Sequence, residues 1–272
     1  MEGKIEKTLF VLNELRKFLR VEVALVIVCM SLSGYFIFHS LGNVIFPLVF
    51  ASFFLSCAGY SFNHFTDKEE DIINNEKLNF FVTHRSGKCI TFSCVFLTVF
   101  SLFYLPFISF SICLTALILS VIYSAYRIKN VFPFKNIYSG LVMSMSFLMG
   151  AGINWEGFYN ALGYFPLIFI IGMTGNLLGD VRGYKGDKIA GVKTIPVVFG
   201  ISFAKKLIVF NFIVFTILTL SLGYYLLLPI VPSLVFVCVF IMKGDYIKAR
   251  ISMISTFLLL APFLFIIKLA GF

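Results

Sequence analysis

Along this chain the polar residues gather at intervals, and the stretches between them are almost wholly apolar. The apolar stretches are long and continuous, without the every-second-residue alternation of a barrel strand, so they read as helices. Set against their breaks, they predict nine spans near residues 21–40, 44–63, 89–106, 108–126, 136–153, 161–180, 203–223, 225–242 and 250–268. No linker divides them, so residues 1–272 read as a single domain, an all-α polytopic bundle around a central cavity. Ahead of the first span, residues 1–20 form an amphipathic segment. Leu9, Phe10, Leu12, Leu15, Phe18 and Leu19 make a rough helical stripe, with Lys7, Arg16, Lys17 and Arg20 elsewhere. Such a segment suits the membrane surface.

Composition says which solvent this pattern needs. The chain is 60% hydrophobic and 13% charged, with a mean hydropathy of +0.98. A soluble domain carries about 25% charged residues. Lipid is therefore the solvent, and in lipid only helices or closed barrels satisfy the backbone. The first apolar run is long enough to stay as a span, so it does not read as a cleaved leader. The six cysteines show no CxxC pair and no histidine at ligand spacing, and imply neither disulfides nor a thiolate metal site.

The charge then gives an orientation. The net +9 reads as a positive-inside bias, and nucleic acid is not an expected partner. With nine spans, 21 of the 22 Lys and Arg residues fall on one side, and Lys268 falls on the other. That alternation predicts a cytoplasmic N-terminus in the cell membrane and a C-terminus facing outward.

The acidic residues cluster on the same cytoplasmic side. One segment runs Asn63-His64-Phe65-Thr66-Asp67-Lys68-Glu69-Glu70-Asp71; the other holds Asn176, Asp180, Arg182, Lys185 and Asp187. If the helices continue through them, Asn63, Asp67 and Asp71 fall within roughly 80° of arc, and Asp180 and Asp187 within about 20°. Acids at a span end cost energy unless solvated, paired or bound to a cation. Two carboxylate pairs facing one cavity suit Mg²⁺, which takes oxygen ligands and is commonly completed by substrate phosphates. Arg85, Arg127, Lys129, Arg182 and Lys185 supply positive charge for a polyanion, which suggests a lipid diphosphate. A solvated acidic loop, with Asp180 and Asp187 as caps or ion-pair partners, fits the same spacing and stays open at this point.

Four ordered segments resemble one family, the UbiA-type intramembrane prenyltransferases. Asn63-x-x-x-Asp67-x-x-x-Asp71 resembles its first motif. Gly186-Asp187, with Gly191, Thr194, Pro196 and Phe199-Gly200 beyond, resembles the close of its second. Tyr123-Ser124, the following basic residues and Phe134-Lys135-Asn136 resemble the segment between its fourth and fifth helices. Ser86-Gly87-Lys88 resembles the turn before its third. The resemblance implies transfer of a prenyl group from a polyprenyl diphosphate donor to a lipophilic acceptor, such as a quinone precursor or glycerophosphate ether lipid. Two Mg²⁺ ions, bridged by the diphosphate, would sit on Asp67, Asp71, Asp180 and Asp187. Asn63, Tyr123, Arg127, Lys129, Asn176 and Lys185 would meet the diphosphate.

Three positions depart from the family pattern. His64 stands where an Asp is usual, Arg127 where a Lys is usual, and Gly183 where the second motif has its middle Asp. The last removes a carboxylate, so a UbiA-like protein with weakened catalysis stands as an alternative. An ion-coupled transporter is another, although such proteins place their charges near the bilayer midplane. A CDP-alcohol phosphotransferase lacks support, because its D-G-x-x-A-R core is absent. Of the remaining residues, His39, His64 and His84 lack metal-ligand spacing, while Trp155 and Tyr159 suit the outer interface. Gly172, Gly175 and Gly179 suit close helix packing.

Overall fold

The structure, a computed structural model, describes residues 2–73 and 78–271. Among them there are helices and no strands. In chain order the helices are α1 (Glu2–Leu19), α2 (Val21–Phe38), α3 (Ile45–Ile73), α4 (Phe80–Thr83), α5 (Arg85–Leu102), α6 (Phe107–Ala125) and α7 (Phe134–Ala151). They continue with α8 (Trp155–Ala161), α9 (Phe165–Ile189), α10 (Ile195–Phe199), α11 (Ile201–Ser221), α12 (Val231–Lys243) and α13 (Tyr246–Leu269).

Local chemistry sets the helix ends. Proline opens α9, α10 and α12 within their first turns, where its missing N–H costs nothing. Side chains of Asn79, His84, Asn154 and Asp245 cap α4, α5, α8 and α13 by accepting a first-turn backbone N–H. At Asp245 that N–H, from Lys248, holds the carboxyl below its ordinary pKa. Gly244, at φ 78°, stops α12 in a left-handed conformation that a side chain would resist.

Seven helical stretches among the described residues are long and apolar enough to cross a membrane. They include α2, most of α3, α6, α9, α11 and α13; the seventh joins the tight turn Tyr225–Ile230 to α12. The expected spans 89–106 and 136–153 coincide largely with α5 and α7, each 18 residues long, which fall outside that seven. Arg85 and Lys88 open α5. In α7 the lower apolarity has a packing reason: Asn136, Ser144 and Ser146 are buried against protein rather than facing lipid. This helix packs on α2, α6 and α9, while α3 lies against α2, α5 and α6. The outer layer is α11, α12 and α13, with α13 against α2 and α9.

Small residues allow the closest crossing. A Cβ on Gly34 would strike the carbonyl of Phe147, and a Cβ on Gly150 would strike the carbonyl of Ser31, so α2 and α7 touch backbone to backbone. Gly172 has the packing role expected of it, since its Cβ would lie 2.7 Å from that of Met143. Gly179 has none: nothing lies within 4 Å of where its Cβ would be.

The amphipathic stripe of α1 is divided. Phe18 is fully buried, against His64, Phe65 and Phe81. Glu14 ties the helix to α4, accepting the Phe80 N–H at 3.1 Å. Leu9, Phe10 and Leu12 are exposed.

The crossing can be tested by filling it. Gly150→Val should destabilise the detergent-solubilised protein by about 1–3 kcal/mol through overpacking, whereas Gly179→Ala should leave the thermal midpoint nearly unchanged. Equal midpoints for the two variants would show that α2 and α7 are not in contact.

Candidate active site at the charged end of the bundle

Two helices run on past the membrane stretches expected of them. The span expected at 44–63 continues as α3 to Ile73, and the one expected at 161–180 continues as α9 to Ile189. Both acidic segments are therefore helical, as their shared-face geometry requires.

Between α2, α3, α6, α7 and α9 lies a cavity of about 290 Å³. Its α3 wall runs from Asp67 through Asn63 and Tyr60 to Leu55, about 18 Å of helix axis. Across from it stand Tyr123 and Ser124 of α6, Lys135, Tyr138 and Ser139 of α7, and Asn176 of α9. Arg20 contributes from the α1–α2 junction. The inner end is apolar, formed by Ile27, Leu55, Ala116 and Val142.

Hydrogen bonds fix the charged end. The Asn63 amide donates to the Asp67 carboxylate, and Ser124 donates to the Asn63 carbonyl oxygen at 3.3 Å. Asn176 donates to Ser139 at 2.7 Å. Tyr123 and Tyr138 stack with ring centroids 3.9 Å apart and 12° between planes. The Tyr138 hydroxyl donates to Ser120 at 2.9 Å. Arg20 is held in a left-handed backbone conformation at φ 47°, with its guanidinium 4.9 Å from the centre of the Tyr60 ring.

Asp180 sits one turn beyond Asn176 and is not on the cavity wall. It is 2% exposed, and both of its oxygens are engaged. The Lys135 ammonium lies 2.7 Å from Oδ1, and the Asn136 amide donates to Oδ2 at 3.0 Å. Asn136 also donates to Asn176 at 3.1 Å, joining the two α9 positions through one α7 side chain. Asp187 accepts from Thr194 at 3.3 Å, which ties the end of α9 to the turn before α10. A Cβ on Gly183 would lie 3.7 Å from the Asp187 carboxylate, so an acid there would face Asp187 directly.

Of the residues singled out in the sequence, Asn63, Asp67, Tyr123 and Asn176 meet at the cavity. Asp180 stands behind Lys135. Arg127 and Lys185 are exposed and lie off the cavity wall. The side chains of Asp71 and Lys129 lie outside the described residues. Arg20, Tyr60, Lys135, Asn136 and Tyr138 were not singled out as site residues, yet they build it. Lys135-Asn136 carried a legible signal, two polar residues opening an apolar helix.

The fit to a divalent cation differs between the two sides. On α3, the Asp67 carboxylate and the Asn63 carbonyl are hard oxygen donors at the cavity wall, which suits Mg²⁺. On α9, Asp180 contacts Lys135 and Asn136, is 2% exposed and lies off the cavity wall, whereas Asp67, whose oxygens accept from Asn63 and Thr66, opens onto it. Among the described residues no three His, Cys, Asp or Glu side chains gather as a metal site.

The fold is that of a polytopic helical membrane protein, and its cavity carries Arg20, Lys135, Asp67 and amide side chains at one end. Residues 23–267 match the UbiA prenyltransferase family, and the chain belongs to that family. No curated protein sequence matches the chain. Solved structures share the fold. A UbiA homolog from Archaeoglobus fulgidus bound to DMAPP and Mg²⁺ superposes with a TM-score of 0.68 at 16% identity, covering 94% of this chain and 98% of that one. The apo UbiA homolog from Aeropyrum pernix K1 gives 0.78 at 12%, covering 92% and 98%. A digeranylgeranylglyceryl phosphate synthase gives 0.64 at 19%, covering 93% and 97%.

The Asn136 bridge makes a direct prediction. Asn136→Ala strips the donor from buried Asp180 and Asn176, and should cost about 1–3 kcal/mol in unfolding experiments. A variant as stable as the parent would remove the bridge from the account.

Proposed function

We propose that the chain is a Mg²⁺-dependent prenyltransferase, moving a prenyl group from a polyprenyl diphosphate to a lipophilic acceptor and releasing pyrophosphate. The observation that carries this reading is a single cavity with a charged end and an apolar end. That is the shape of a molecule with a diphosphate head and a hydrocarbon tail. Bound Mg²⁺ would neutralise charge on the departing pyrophosphate.

The protein's own groups do the rest. Asn63 donates to the Asp67 carboxylate, which would hold the cation, and Arg20 and Lys135 offer donors to phosphate oxygens. The allylic C–O bond breaks and its electron pair leaves with pyrophosphate. Ile27, Leu55, Ala116 and Val142 give the hydrocarbon tail an apolar surface to lie against. The stacked Tyr123–Tyr138 faces supply negative quadrupole density to the developing positive charge. A nucleophilic carbon or oxygen of the acceptor then forms the new bond and gives up its proton. A quinone precursor or a glycerophosphate ether lipid suits this chemistry, and the likeness to digeranylgeranylglyceryl phosphate synthase supports the second.

The finer topology belongs to the same proposal. Counting α5 and α7 gives nine spans in a single domain, with the N-terminus and the site on the cytoplasmic side of the cell membrane. An N-terminal epitope should be protected in intact cells and a C-terminal one exposed; the reverse pattern would contradict it. A second reading, a family member with weakened turnover, draws on Gly183.

Activity distinguishes them. In membranes given a prenyl diphosphate, Mg²⁺ should drive pyrophosphate release, and Asp67→Ala should reduce it by on the order of 10²-fold or more. Asp187→Ala should also lower it. Full activity in both variants would sink the site assignment.

A further inference from the structure

The second acidic segment meets the cavity in an unexpected way. Of the side chains on α7 and α9 that reach the cavity wall, Lys135 bears the charge, and neither Asp180 nor Asp187 is among them. We infer that in this chain Asp180 is a positioning residue for Lys135 rather than a metal ligand, and that the Lys135 ammonium contacts the diphosphate where a second, α9-held cation would otherwise sit. This rests on the donor reading above and names how that same site handles the anion.

Three observations support it. First, Asp180 is turned to Lys135 and Asn136 and lies off the cavity wall. The carboxylate faces an ammonium at 2.7 Å and an amide at 3.0 Å and is 2% exposed, so a metal reaching it would have to displace Lys135 from it or enter protein interior. Freeing it would take from Lys135 its carboxylate partner, and breaking a buried pair is strongly unfavourable. Second, the position beside it that would replace the lost ligand is Gly183. Its Cβ would lie 3.7 and 3.8 Å from the two Asp187 oxygens, so an acid at 183 would pair with Asp187 to clasp a cation, and the glycine leaves that clasp half-made. Third, Lys135 is suited to take over. An ammonium has three donors, and the ion pair with Asp180 uses one. Its side chain is 28% exposed while that of Asp180 is 1% exposed, so the pair has a buried anchor and an open head. Lysine binds phosphate as a compact point charge. Arg20, also on the wall, provides a second cation.

The arrangement predicts one ion per bound donor, on the α3 side. The full-length chain in lipid nanodiscs is titrated with Mn²⁺ in place of Mg²⁺, with and without geranyl S-thiolodiphosphate, a donor analogue that resists ionisation. Mn²⁺ is counted by electron paramagnetic resonance and analogue affinity by calorimetry, so neither readout needs turnover. The parent should hold one Mn²⁺ with the analogue bound, and Gly183→Asp should hold two. Lys135→Met and Asp180→Asn should each weaken analogue binding by tenfold or more without changing the Mn²⁺ count. Lys135→Arg and Asp180→Glu, which keep the charges, should restore most of the affinity.

Two Mn²⁺ ions in the parent, with one lost in Asp180→Asn, would overturn the inference and leave the donor reading intact. So would Lys135→Met binding the analogue as well as the parent. A parent that binds no analogue at any Mn²⁺ concentration would instead overturn the donor reading itself.

Discussion

The ion pair between Lys135 and Asp180 fixes the geometry at the charged end of this protein. It joins α7 to α9, and through Asn136 it draws in Asn176, which in turn holds Ser139. Burying a charged pair costs several kcal/mol per ion unless its partners satisfy it, so these contacts are costly to break. The pair therefore constrains both helices. Wherever α9 slides or rotates relative to α7, one of these contacts is lost. The cavity keeps its shape because a polar network, rather than lipid-facing apolar surface, sets the register of its walls.

The rest of the bundle follows from the solvent. In hydrocarbon, apolar surface gives helices no reason to prefer each other over lipid, so association depends on close packing and polar contacts. Gly34 and Gly150 supply the first where α2 crosses α7, and the Lys135–Asp180–Asn136 network supplies the second where α7 meets α9. Both converge on α7, which accounts for the buried Asn136, Ser144 and Ser146 on this helix. It is solvated by protein. The exposed aromatic and aliphatic residues belong instead to helices such as α5, α6 and α11, where Phe92, Phe107 and Phe210 face outward.

Much of this was legible in the chain. Continuous apolar runs gave the helices, and the first acidic segment pointed to the end of the bundle where the cavity lies. Helical spacing placed Asn63 and Asp67 on one face, and the structure puts them together at the cavity. What the pattern could not show was how helices rotate against one another. Asp180 shares a helix face with Asp187 in projection, but Lys135, 45 residues earlier in sequence, decides whether its oxygens are available. Arg127 and Lys135 are basic residues after the same expected span, and the resemblance implies the first, not the second, as a diphosphate contact. One is exposed after a left-handed turn and the other opens α7 into the cavity. Charge type is written in sequence; the direction of a side chain depends on tertiary packing. Gly183 was readable as a missing carboxylate, and the structure adds that an acid there would lie beside Asp187.

A structure of the protein in nanodiscs, with Mg²⁺ and a non-ionising prenyl thiodiphosphate bound, tests this account most directly. It should show the diphosphate between Asp67 and Lys135, the tail against Leu55 and Val142, a cation on the α3 side, and the Lys135–Asp180 pair unbroken. A cation bound to Asp180, with Lys135 swung away from it, would contradict the account.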